Sequence, residues 1–325
     1  MTVTNAWHCR TTTDLSHDFS VLTGTAVLLE DEFLPNTSFP GVLLFVEQRL
    51  HAVLGYRFES DGTIAITDPV FTTAVAEDLR SAWFQSMLDH VAREARKTQC
   101  RSIRAVQPGS QTETRNWMRD VLQTAGFSVQ ARVIRWITPD IECRLKSQSQ
   151  FASVLSPSNG EEIMHTVAIE AKTLVEDSPR FQCIRKLLGS ILVDSQDLPN
   201  LPTATSEELI NEWTNLEATI FVAETPRRSI GLCVTLKQPG IEENRQSVYA
   251  IQYIGVEPAY RREGIASLML TTLREQVCLA GSEDGVMLLA AFADQQNEPA
   301  TRLYQKNGFR PDKIFDIWSR NSIES

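Results

Sequence analysis

The sequence predicts an α/β protein in which a mixed β-sheet with flanking helices is built twice, in two tandem units. Three observations predict this. Strand-like and helix-like segments alternate through the C-terminal half, and the N-terminal half echoes their order. Gly126-Phe127 recurs as Gly308-Phe309 and Trp136 recurs as Trp318, both 182 residues on. A shared offset is the mark of a repeated unit. The 325 residues are 42% hydrophobic and 22% charged, the composition of ordinary globular protein rather than of a disordered, collagen-like or disulfide-stapled chain.

Each element follows from local chemistry. In the first half, 42–46, 49–58 and 63–71 are rich in β-branched and aromatic residues and predict strands. Residues 77–97 predict a long helix, 102–106 a strand, 112–125 a helix and 127–137 a strand. The polar, aperiodic stretch 139–150 is the expected linker, between a first domain at 1–138 and a second at 151–325. In the second half, 151–155 predicts a strand, 160–174 and 181–193 two helices, and 205–216 a third, with Thr205 and Glu208 at capping-box spacing. Strands are expected at 219–223 and 230–237, around a Pro-Arg-Arg turn. Ser247–Val256 predicts a strand that Pro258 ends. Ile265, Leu268, Met269, Leu273 and Val277 lay one apolar stripe along a helix over 264–279. The apolar run 286–293 predicts a strand covered on both faces. A short helix over 299–306, stopped by Asn307-Gly308, leads into a last strand at 309–318.

The net charge is −10, which disfavours a broad nucleic-acid surface, because phosphate binding needs a basic face. Residues 1–150 hold 15 lysines and arginines against 17 acids, and 151–325 hold 16 against 24. The negative field thus lies on the second unit, which is either a solvated surface or one that favours a cationic acceptor. Six scattered cysteines without a CxxC pair and five scattered histidines give no metal-ligand spacing. No metal site is expected, and reduced thiols fit a cytoplasmic protein. The first residues show no leader signature, and no apolar run approaches the ~20 residues of a membrane span.

The segment that carries chemistry is Val256-Glu-Pro-Ala-Tyr-Arg261-Arg262-Glu263-Gly264-Ile265-Ala266. A strand runs into a loop, and the loop opens a helix. The first helical amides have no internal partner, the helix dipole adds partial positive charge there, and Gly264 admits close approach to the backbone. Together these form an anion site suited to a pyrophosphate. Neither GxxxxGK[ST] nor GxGxxG is present. The segment resembles the R/Q-x-x-G-x-G/A loop of the GCN5-related N-acetyltransferase (GNAT) family. A second stretch, from Asn297 through Ala300, Leu303, Tyr304 and Lys306 to Gly308-Phe309, resembles that family's NxxAxxLYxKxGF segment.

The resemblance implies an acyl-CoA N-acyltransferase fold and acetyl transfer from acetyl-CoA to an amine-bearing small molecule or peptide. It implies that backbone groups of Ile254 and Val256 hold the pantetheine arm and that the loop Arg261, Arg262, Glu263, Gly264, Ile265 and Ala266 holds the pyrophosphate. Asn297 would bond the pantetheine arm or order the cleft, and Tyr304 would sit by the sulfur. A backbone N–H aimed at the developing oxyanion and a phenol that protonates the leaving thiolate are what direct transfer needs. No carboxylate precedes Glu257 on the strand, so deprotonation of the amine falls to a water chain near Tyr253 or Gln252, with Glu224 and Asp294 as alternatives. A non-catalytic acyl-CoA-binding or interaction module, or a different acyl donor, is the competing reading. The first unit keeps the scaffold signals without the cofactor signals: no glycine lies between Gly62 and Gly109, and the offset puts Leu122 opposite Tyr304 and Arg115 opposite Asn297. It is expected to be a degenerate copy.

Overall fold

A computed structural model describes residues 7–12, 40–46, 49–59, 62–71, 75–108, 116–138, 165–174, 178–193, 205–238, 247–280 and 287–321. The expected linker at 139–150 and the expected strand at 151–155 lie outside these residues. The chain divides into two compact units that interleave in sequence: Met1–Val133 with Ile314–Ser325, and Ile134–Lys313.

In the first unit the strands are β1 (Trp7–Thr12), β2 (Gly41–Val46), β3 (Arg49–Phe58), β4 (Thr63–Ile66), β5 (Val70–Phe71) and β6 (Ser102–Pro108). The helices are α1 (Glu77–Lys97) and α2 (Asn116–Thr124). The strand order is β1-β2-β3-β4-β6, with β4 and β6 parallel, from Thr63↔Ser102 to Ile66↔Ala105. The expected strand 63–71 is broken between β4 and β5 because Pro69 lacks the N–H that a ladder needs. The unexpected β1 is an edge strand of mostly polar residues (WHCRTT) paired antiparallel with β2, so no hydrophobic run announces it.

The sheet is completed from the far end of the chain. Of the last strand, β13 (Arg310–Asn321), the stretch Phe315–Asn321 pairs antiparallel with Pro108–Ser102 of β6. Trp318 is buried in this unit's core with Phe84, Leu88 and Leu122. Asp316, fully buried, is gripped by Arg119 and by Arg132, whose Nε donates to Oδ1 at 2.7 Å.

The second unit begins with the end of β7 (Ser128–Ile137). Its other strands are β8 (His165–Glu170), β9 (Thr219–Glu224), β10 (Ser229–Gln238), β11 (Ser247–Val256) and β12 (Met287–Asp294), in the order β7-β12-β11-β10-β9-β8. Helices α3 (Pro179–Leu192) and α4 (Ser206–Asn215) pack on one face over Ile220, Val222, Leu232 and Val234. Helices α5 (Ile265–Ala280) and α6 (Glu298–Lys306) cover the other face over Phe221, Ala223, Cys233 and Ile251. The alternation of Ile220 and Val222 with Phe221 and Ala223 is the period of two that a sheet covered on both faces requires. The capping box at the start of α4 is present, Thr205 and Glu208 bonding each other's backbone.

One expected helix is wrong. Residues 160–164 lie outside the described residues, and 165–173 form β8, paired antiparallel with β9 from His165↔Glu224 to Glu170↔Thr219, and then a short 3₁₀ turn. Thr166, Val167 and Ile169 favour extended backbone, and the open edge of β9 supplies the hydrogen-bond partners.

The 182-residue echo is structural. After α2, Gly126 N–H donates to Gln123 O and Phe127 N–H to Leu122 O; after α6, Gly308 N–H donates to Gln305 O and Phe309 N–H to Tyr304 O. Both glycines have φ near +80°, the left-handed conformation that ends helices in this way. Trp136 and Trp318 are both buried.

Candidate active site

The site grows from a change in β11. Strands β11 and β12 pair in parallel from Ser247↔Met287 to Ile251↔Ala291. Against β10, β11 passes from Ile251↔Thr235 to Tyr253↔Val234, so Gln252 is an extra, bulged residue. A bulge bends a strand and re-aims the side chains beyond it. Past this point β11 runs on to Val256 and β12 to Asp294, and residues of both strands line a cleft of about 1090 Å³. After the bulge, Tyr253 joins the core under α3 and α4, while Ile254 joins the core under α5 and α6.

The loop after β11 is the second component. Arg262 and Gly264 both have positive φ, +71° and +83°. Left-handed residues set close together in a turn aim successive backbone N–H groups to one side, which makes an anion-binding concavity. The unpaired amides that open α5 follow directly. Arg261 steadies the turn, its Nε donating to Val256 O at 3.0 Å. The charged residues lining the cleft are Arg261, Arg262, Arg302, Lys306 and Glu298, and Glu298 is paired with Arg302 at 2.6 Å. The cleft is therefore basic on a chain of net charge −10.

Helix α6 closes the cleft. Asn297 is its N-cap, its Oδ1 accepting from Ala300 N–H at 3.0 Å, and it is 6% exposed. Tyr304 is 3% exposed, with ring centroids 5.3 Å from Phe309 and 6.2 Å from Trp136.

Tyr253, Ile254, Val256, Arg261, Arg262, Gly264, Ile265, Ala266, Asn297 and Tyr304 all line this one cleft. Glu263 sits in the loop but is not among the lining residues. Of the alternative bases, Glu224 is engaged elsewhere by Arg180 and by Ser229 Oγ at 3.1 Å. Asp294 is buried, its Oδ1 accepting from Gln296 N–H at 2.7 Å. Glu257, just past the strand, is mostly buried and pairs with Arg228 at 3.2 Å. The sequence reading missed Ile191, Gly255 and Phe292. Gly255 had a signal, a glycine inside a strand. A Cβ there would come within 2.5 Å of Ile191 Cγ2.

Residues 217–311 match the sequence model of the acetyltransferase (GNAT) domain. That stretch runs from just past α4 through the cleft-forming elements to the start of β13, so a GNAT domain match lies in the second unit. Among solved structures, the chain resembles a tandem GNAT protein from the clavulanic acid biosynthesis pathway, with a TM-score of 0.63 at 11% identity over 98% of this chain and 100% of that one. It resembles a GCN5-related N-acetyltransferase from Sphaerobacter thermophilus, with a TM-score of 0.59 at 12% identity over 97% and 96%. A GNAT-family acetyltransferase from Colwellia psychrerythraea follows, with a TM-score of 0.52 at 10% identity over 96% and 100%. At these identities the likeness establishes the fold, a GNAT fold in tandem. Comparison with curated proteins gives no match. The family and fold support acyl transfer, and acetyl-CoA is the donor that GNAT proteins generally use. Among the described residues, no group of three or more His, Cys, Asp and Glu gathers, and no helix is long and apolar enough to cross a membrane.

Proposed function

We propose that the second unit transfers an acetyl group from acetyl-CoA directly to a primary amine, both substrates being bound at once. The observation that carries this is the meeting, in one cleft, of two parting parallel strands and an anion-binding turn lined by arginines. Such a cleft suits a long ligand with an extended amide-bearing arm and a pyrophosphate. Acetyl-CoA supplies the activated thioester. Backbone groups of Ile254 and Val256 hold the arm as a neighbouring strand would and polarise the carbonyl. The amides and cations of 261–266 hold the pyrophosphate, and Asn297, by capping α6, fixes the wall that carries Tyr304. A C–N bond forms as the C–S bond breaks. The amine's proton passes to water near the bulge at Gln252, and the Tyr304 hydroxyl gives a proton to the departing sulfur.

We read the first unit as a degenerate copy that binds no coenzyme. The offset places Leu122, fully buried, opposite Tyr304. Among the described residues, its positive-φ positions, Gly62, Gln99 and Gly126, stand apart along the chain. A calorimetric stoichiometry near two coenzymes per chain overturns this.

The test is thiol release from acetyl-CoA with a panel of amines, alongside thermal melting. Coenzyme A should raise the melting temperature where NAD does not, since a ligand bound only by the folded state stabilises it. Tyr304→Phe should lower kcat by about 100-fold, the lower range for loss of a general acid, and leave the coenzyme Kd unchanged. Coenzyme binding without thiol release from any amine identifies a binding module instead.

A further inference from the structure

We infer that the acceptor is an apolar, aromatic primary amine, seated on the α3/α4 side of the parting strands against Phe292, Tyr253 and Ile191. This rests on the acyl-transfer reading. The two sides of the cleft lining differ in chemistry. The cations and the positive-φ turn belong to the loop before α5 and to α6, and so to the face those helices cover. Ala291 and Ala293 also pack into the core of that face. Side chains alternate along a strand, so Phe292 points to the opposite face, where Tyr253 joins the α3/α4 core and Ile191 projects from α3.

Phe292 is 48% exposed and lines the cleft. It is a large aromatic near the end of a strand otherwise lined by small residues (Ala290, Ala291, Ala293). Exposed apolar surface beside a concave site marks what the site takes up. Among the described lining residues, Glu298 is the one carboxylate, and it stands on the α6 side, paired with Arg302. On the α3/α4 side the described lining is therefore aromatic and aliphatic where a polyamine would need carboxylates. An apolar lining also disfavours the charged form of an incoming ammonium. That raises the share of neutral, nucleophilic amine where β11 offers no carboxylate base.

The experiment uses the full chain with acetyl-CoA and two amines, 2-phenylethylamine and spermidine, with coenzyme affinity measured separately by calorimetry. The expected result is a kcat/KM for 2-phenylethylamine at least about tenfold above that for spermidine. Phe292→Ala should lower it about tenfold, the scale of one apolar contact in a specificity pocket. The loss should fall mainly on KM, with coenzyme Kd and melting temperature unchanged, and Phe292→Leu should restore most of it. Equal or better turnover of spermidine, or indifference to Phe292→Ala, overturns the inference while normal coenzyme binding leaves the acyl-transfer reading standing. Absence of coenzyme binding overturns both.

Discussion

Tyr304 combines a place in the core with a place in the cleft lining, where the proposed transfer would use its hydroxyl. Its ring fills the core between Trp136 and Phe309, and its edge reaches the cleft. Asn297 is similar: its Oδ1 caps α6, and a bond to the pantetheine arm belongs to the proposal. At the same scale, the cysteines differ sharply. Cys183 is exposed, and Cys233 lies buried in the sheet, where burial pushes its thiol up to about 12. A raised pKa means that the reactive thiolate is scarce at neutral pH. At pH 8 an alkylating reagent should therefore label Cys183 in the native protein and reach Cys233 only after denaturation. Mass spectrometry of the labelled peptides checks this, and native labelling of Cys233 at the rate of Cys183 would refute it.

Among elements, the packing of α3 on β11 shapes one wall of the cleft. It depends on Gly255. A Cβ at that position meets Ile191 Cγ2 at 2.5 Å and Tyr253 Cε1 at 3.1 Å. The nearer atom is a branch close to the helix backbone, so it yields only if α3 shifts. Gly255→Ala should cost about 1–3 kcal/mol, the usual range for overpacking. Adding Ile191→Ala should cost less than the sum of the two single changes, because it empties the space that the new methyl needs. Urea unfolding of the three variants measures this, and strict additivity would show that the contact is not strained. Elements were also where sequence patterning was most and least reliable. Helix α5 was legible because its apolar stripe repeats at helical spacing, and α4 because its capping box is local. Strand β8 was misread because its partner, β9, lies about fifty residues downstream.

For the whole molecule, the decisive feature is that the end of β13 completes the first unit. Trp318 enters that unit's core, Asp316 meets Arg119 and Arg132, and Arg320 Nη1 donates to Ala125 O at 2.7 Å. Asp316→Ala strands two arginines around a fully buried position. The expected loss is about 2–3 kcal/mol, below the full cost of breaking a buried pair because Arg132 is half-exposed. Asp316→Asn should lose less, since it keeps an acceptor. A melting profile unchanged by Asp316→Ala would count against the carboxylate as the clasp of the last strand.

The sequence by itself determined the alternation of strands and helices, the 182-residue repeat, the left-handed turn before α5 and the helix that Asn297 caps and that carries Tyr304. These are written in contiguous residues: apolar period, capping chemistry, and glycine where the backbone must be left-handed. Only the tertiary structure decided where the two units divide, which edges pair, and which face Phe292 and Ile191 present to the cleft. Those depend on side chains distant in sequence, and a bulge of one residue at Gln252 re-aims everything beyond it. The composition is acidic, yet the cleft is basic on one side and apolar on the other. Charge summed along a chain is blind to which side chains the fold gathers.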